Sequence, residues 1–144
     1  MRPSFQNILK EFLPKYLSVV LQDKYKDKIA EIRIEGHTNT KPINITNDPY
    51  IDNMELSQNR ARNVLVFLRQ QNCFNNLETL KKDRLQYWLT ANGLSYGRAV
   101  DKDFKISYDS KEPIDNDKSR RVEFRIVTTS EAIINEALKN IEEK

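Results

Sequence analysis

An α+β domain, with helices packed on one side of a small mixed β-sheet, is predicted from three features of the sequence. Apolar residues recur at helical spacing near both ends of the chain. Three short segments alternate apolar and charged residues, as half-buried strands do. The elements follow the order α-β-α-β-β-α, with a short extra helix before the second strand, which suits helices layered on one sheet. The 144 residues fit a single domain, 1–144, with a core over about residues 4–129 and a last helix over about 130–142.

Phe5, Ile8, Leu9, Phe12, Leu13, Tyr16, Leu17, Val20 and Leu21 form one apolar stripe and predict the first helix. Pro3 suits its first turn, while Pro14 inside the stripe predicts a kink or two shorter helices. From Lys28 to Glu35, Ala30, Ile32 and Ile34 alternate with charged neighbours as a strand that Gly36 ends. Residues 37–52 are polar and turn-rich and read as a loop, long enough to suggest function. A second helix is expected from about Leu56 to Gln71, capped by Asp52 or Asn53, with Leu56, Ala61, Val64, Leu65 and Leu68 on its buried face. After a short helical stretch near Leu77–Arg84, the alternation of Leu85, Tyr87, Leu89 and Ala91 predicts a strand that stops at Asn92-Gly93. A polar loop over about residues 98–119 leads to a third strand carrying Val122, Phe124 and Ile126. Thr128-x-x-Glu131 resembles a capping box before the last helix.

Hydrophobic residues at 38% and charged residues at 31% describe a globular chain with a polar surface. Its 24 basic and 21 acidic residues are well mixed and leave a net charge of +3. That small excess suits an anionic partner and argues against nucleic acid, which calls for a dense basic stripe. The single cysteine, Cys73, excludes an intramolecular disulfide and a cysteine-based metal site. No apolar run approaches the ~18 residues that span a bilayer, and Met1-Arg2-Pro3 leads into an amphipathic pattern rather than a signal peptide. The chain is therefore either cytoplasmic or a piece of something longer.

Arg60 is the residue least suited to its surroundings. It lies four residues after Leu56 and four before Val64, on or beside an apolar helix face, where a charge is costly unless paired. Either its stem covers apolar surface while its head reaches water or a carboxylate, or it is a carboxylate-binding arginine at the first turn of a helix, a planar fork that accepts the acid through two parallel hydrogen bonds, with the backbone N–H groups nearby favouring the same anion. His37, the only histidine, stands at the strand end and reads as a hydrogen-bonding residue, because it has no partner histidine for zinc and no nucleophile to serve. Thr38 and Ser57 read as turn or capping hydroxyls, and Asp48 and Asp52 as solvated carboxylates. Gly93-x-x-x-Gly97 lacks the ending of a phosphate loop. No residue set for catalysis, a metal or a cofactor is evident.

Four blocks in order resemble the OmpA C-terminal family, which includes peptidoglycan-associated lipoprotein and the periplasmic domain of MotB-type stator subunits. They are Ile34-Glu35-Gly36-His37-Thr38, then Asn53-x-x-Leu56-Ser57-x-x-Arg60-Ala61-x-x-Val64, then Gly93, then Arg120-Arg121-Val122-Glu123-Phe124. Longer strings such as Asp48-Pro-Tyr-Ile-Asp-Asn-Met-Glu-Leu and Leu89-Thr-Ala-Asn-Gly-Leu look most like the MotB-like subunit of Zorya anti-phage systems. The resemblance implies a βαβαβ-type fold whose first strand is absent from this chain. It also implies non-catalytic binding to the diaminopimelate residue of peptidoglycan, on the periplasmic face of the cell envelope. Arg60 would take the diaminopimelate carboxylate. Thr38, Asn53 and Leu56 would shape the pocket, within which His37 is also counted. The family's aspartate, which takes the ligand's amine or the backbone beside its carboxylate, is here Asn39; Asp48 or Asp52 could supply the missing charge, the ligand could differ, or binding could be lost. A membrane anchor is expected upstream of Met1 and a homodimer as the assembled form. The alternative is a protein-interaction or dimerisation module with weak or lost wall binding.

Overall fold

A computed structural model of the chain describes residues 1–129 and Lys139. The predicted last helix and the capping box at Thr128-x-x-Glu131 therefore fall outside the described residues, wholly or in part.

The first apolar stripe forms one helix, α1 (Pro3–Val20), which buries Leu9, Leu13, Leu17 and Val20. Pro14 neither splits it nor sits in the core. It lies inside the helix on the exposed side, where water can meet the carbonyl that its missing N–H leaves unpaired. The four buried side chains, each contributing roughly 1.5–3 kcal/mol, hold the turns on either side of it. After a 3-10 turn (Asp23–Tyr25) comes β1 (Ile29–His37), one turn of alternation longer than the Gly36 stop suggests.

Helix α2 (Pro49–Arg69) begins seven residues before the expected Leu56, so Arg60 lies in mid-helix rather than at the first turn, out of reach of the helix's free N–H groups. Asp48, not Asp52 or Asn53, is its cap and accepts from Tyr50 N at 3.0 Å, with Pro49 in the first turn. A short α3 (Asn72–Asn75) precedes α4 (Thr79–Trp88), and β2 (Leu89–Gly93) follows without a break. Leu85 and Tyr87 are thus helical rather than strand residues. Leu85 and Trp88, three apart, are both buried on one helix face. The loop before the last strand holds two single turns, α5 (Ser107–Ser110) and α6 (Asn116–Ser119), and ends in β3 (Arg121–Thr128).

The sheet order is β2-β1-β3, with β2 parallel and β3 antiparallel to β1. Mixed pairing on a central β1 confirms the expected α+β class. Among the described residues, three strands make the sheet. On its inner face Ile32 and Ile34 join the buried side chains of α1, α2 and α4 in one core. Phe12 and Tyr16 of α1 pack on Phe124 of β3, with ring centroids 5.4 and 5.2 Å apart. Gly36 and Gly93 are register partners, and α2 crosses directly over them. A Cβ on Gly36 would collide with the Ser57 carbonyl, and one on Gly93 would come within 2.5 Å of the Ser57 Oγ. Only a glycine pair lets α2 approach this closely. Ser57 then ties the layers, donating to Met54 O at 2.8 Å and accepting from Ser95 N at 3.0 Å.

Candidate functional site

The close approach of α2 to the sheet decides where its next turn points, and that turn carries Arg60. The guanidinium lines a cavity of about 450 Å³ between the start of α1, the middle of α2 and the start of β3. Phe5, Val64 and Val122 supply apolar lining, and Arg2, Arg60, Arg120, Arg121 and Asp117 supply the charges. Arg120 donates to Asp117 at 2.7 Å. Arg121 binds Glu123 at 2.5 Å and also donates to the carbonyls of Ser119 and Arg98. Arg60 is half-buried, and no described acid pairs with it. Burial, then the like charges of Arg120 and Arg2, hold its pKa below the ordinary arginine value. A guanidinium keeps its proton even so, which leaves an unspent cation in a partly apolar recess. A guanidinium so placed has the chemistry to accept an anion.

The other sequence candidates are not gathered at this cavity. Leu56 lies one turn earlier on α2 and is half-buried. Thr38, Asn39 and Asn53 form the joint between β1 and α2. Thr38 N donates to Ser95 O at 2.9 Å, and its buried Oγ1 has no partner among the described residues. The Asn39 side-chain oxygen accepts from Lys41 N at 3.0 Å, closing a local turn. Asn53 donates to the carbonyls of Pro49 and Lys41 at 2.9 and 3.2 Å. Thr40 donates to Asn116 through both its N–H and its hydroxyl, which brings α6, and so Asp117 and Arg120, beside this joint.

Of the two loop aspartates, Asp48 is exposed as its sequence setting suggests, and Asp52 is not. Asp52 is buried and accepts from Thr46 Oγ1 at 2.7 Å, from Thr46 N and from Ile45 N. The Thr46 hydroxyl above all holds its pKa below the usual carboxylate range. Asp48 is occupied as the α2 cap. Both carboxylates shape the loop rather than facing the cavity.

His37 departs furthest from expectation. It is fully buried on the outer sheet face, and neither ring nitrogen has a hydrogen-bond partner among the described residues. Its Nε2 stands 3.5 Å from Glu35 Oε1 and 3.9 Å from Glu123 Oε2. Burial first, then Arg121, push its pKa below 6.5, with Glu123 and Glu35 acting the other way. Glu35 was not a sequence candidate, yet only 1% of its side chain is exposed; Arg125 approaches one oxygen at 3.1 Å and Arg33 the other at 3.4 Å. The ligand atoms of Glu35, His37 and Glu123 lie within 4.8 Å of one another, a spacing that a cation could use. Three guanidiniums already neutralise the two carboxylates there, so a divalent ion would enter a region with excess positive charge.

The architecture and cavity define a small α+β domain with helices on one face of a mixed sheet and an arginine-lined recess beside its second helix. No protein-family model matches the chain. The chain is similar to Zorya protein ZorB of Escherichia coli, at 34% identity over 148 residues that take in 96% of this chain and 54% of that protein. It thus spans about half the length of the curated relative it matches. Among solved structures it resembles the C-terminal domain of Helicobacter pylori MotB (residues 125–256), with a TM-score of 0.48 and 19% identity over 97% of this chain and 87% of that one. No helix among the described residues is long and apolar enough to cross a membrane.

Proposed function

We propose that this chain is a non-catalytic peptidoglycan-binding domain, which holds a membrane-anchored, stator-like complex to the cell wall from the periplasmic side. The observation that carries the reading is Arg60, a half-buried guanidinium that lines a cavity and meets no described carboxylate. Burying a charge costs several kcal/mol unless something repays it, and an acid-bearing ligand repays it here. The sequence resemblance supplies the ligand, the diaminopimelate residue of the peptide stem. The similarity to ZorB supports a stator-like setting. Weak binding at each site would suffice, because many domains on one membrane share one polymeric wall.

Co-sedimentation with purified diaminopimelate-type sacculi tests the reading. The intact domain is expected in the pellet and Arg60→Ala in the supernatant. Equal pelleting of the two would remove Arg60 from the account.

A second reading, a homodimerisation or protein-interaction module on the same fold, is favoured by Asn39, whose side-chain oxygen is spent on Lys41 N–H. Sedimentation velocity of the free domain separates the two. A concentration-dependent dimer that ignores sacculi would favour the second, and wall binding lost with Arg60 the first.

A further inference from the structure

We propose that the Arg60 cavity is a receptor for acids alone, which takes a ligand with two carboxylates through Arg60 and Arg2 and has no subsite for an ammonium group. The inference rests on the reading above, that Arg60 takes a carboxylate of the wall peptide, and it narrows the chemistry of that ligand.

Charge around the cavity is lopsided. Four arginines line it against one aspartate. Arg120 is committed to Asp117, and Arg121 to Glu123. Arg2 and Arg60 have no such commitment among the described residues, and they stand close enough for Arg2 to lower the pKa of Arg60. Two guanidiniums without a described acid partner, an exposed one at the start of α1 and a half-buried one on α2, line the same cavity and match two acids joined by an apolar stem. Phe5, Val64 and Val122 offer that stem an apolar surface.

An ammonium would need an acid to face, and the lining offers one that is already paired. Among the described residues Asp117 is the only carboxylate in the lining; Arg120 holds it at 2.7 Å, and with its side chain 85% exposed, water screens what attraction remains. Asp52 is filled by the N–H groups and hydroxyl of its own loop, and Asp48 caps α2. The Asn39 oxygen carries no charge and already accepts from Lys41. An amine brought into this field meets repulsion from Arg2 and Arg60 with only the screened Asp117 to offset it.

Three small probes of one chain-length class separate the charges: pimelate (two acids, no amine), meso-diaminopimelate (two acids, two amines) and lysine (one acid, two amines). Each is titrated into the folded domain while amide chemical shifts are followed by NMR. Pimelate is expected to bind at least as tightly as meso-diaminopimelate, and lysine at least about tenfold more weakly than either. Arg2→Ala should weaken pimelate by about tenfold with the remaining spectrum unchanged, and Arg60→Ala should abolish both diacids. If meso-diaminopimelate binds tenfold or more tighter than pimelate, and still needs Arg60, an ammonium subsite exists and this inference falls while the wall-binding reading stands. Binding unaffected by Arg60→Ala would overturn both. No shift with pimelate at all, or full pimelate affinity in Arg2→Ala, overturns the two-arginine receptor.

Discussion

On the outer face of the sheet Arg33, Arg121 and Arg125 each meet a carboxylate, whereas at the cavity between α1 and α2 Arg2 and Arg60 meet none among the described residues. The first group surrounds Glu35, which has 1% of its side chain exposed, and Glu123; Arg33 and Arg121 meet a carboxylate along their own strands, and Arg125 reaches Glu35 diagonally across from β3 to β1. The second leaves positive charge unmatched beside an apolar lining. Removing a charge from water is tolerable when its partners are part of the fold. Where no described partner is present, the charge must be offset by water or by a ligand. Arg121 links the two regions, since it lines the cavity and also binds Glu123.

The difference can be broken from the matched side first, where the largest effect is expected. Glu35→Ala removes the nearer partner of both Arg33 and Arg125 and leaves them only Glu31 and Glu123, each 3.6 Å away. Those arginines are partly exposed, 33% and 42%, and water recovers some of their solvation. A loss of about 2–4 kcal/mol in urea unfolding is therefore expected, below the full penalty for a wholly buried pair. A loss under about 0.5 kcal/mol would mean that the sheet charges are as dispensable as surface pairs. Arg60→Ala should behave in the opposite way. It relieves an unfavourable desolvation and a like-charge contact, at the cost of some stem packing, so stability should change by less than about 1 kcal/mol while wall binding is lost. A large stability loss would reclassify Arg60 as structural.

What could be read from the sequence follows the same division. Helix α1 and strands β1 and β3 were legible because their patterns are periodic and local. The start of α2 was also written locally, in Asp48-Pro49, but the polar run around it reads as loop. The change from helix to strand at Trp88–Leu89 was hidden because Leu85, Tyr87, Leu89 and Ala91 alternate by chance, although Leu85 and Trp88 carry the helical spacing. Arg60 could be singled out as a charge beside an apolar stripe. Its cavity could not, because Arg2 and Arg120 come from segments about sixty residues away on either side. The burial of Glu35 was equally hidden, since Arg125, which donates to it, lies 90 residues along the chain.

Acid provides a gentler way to disturb the matched side. The pKa of His37 is lowered in the folded state, so between that value and 6.5 the unfolded chain binds the more protons. Stability should therefore be full above about pH 6.5 and decline as pH falls below it. The groups that face His37 are Glu35 on its own strand and Glu123 and Arg121 on β3, and replacing the ring with an amide leaves them in place. Urea unfolding of the native chain and of His37→Gln between pH 5 and 8 isolates the contribution. The native chain should lose more stability toward pH 5 than the variant does. Parallel curves would show that the ring does not titrate differently on folding. Below that range Asp52 and Glu123, both held below their ordinary values, add an acid loss of their own as they take up protons.

The smallest expected change sharpens the unmatched side. Asn39→Asp keeps the oxygen that accepts from Lys41 N–H and adds a negative charge to the joint beside α6, one residue from the Thr40–Asn116 contact. The residue does not line the cavity, so its effect must act over distance or through the ligand's far end, and solvent will screen part of it. A gain of up to about tenfold for meso-diaminopimelate over pimelate is expected, because the new acid favours the ligand that carries amines. If the substitution raises affinity for both diacids equally, its influence is on the loop and not on charge. If it lowers affinity for meso-diaminopimelate, the amide of Asn39 is itself a contact, and the cavity reaches further toward β1 than its lining residues indicate.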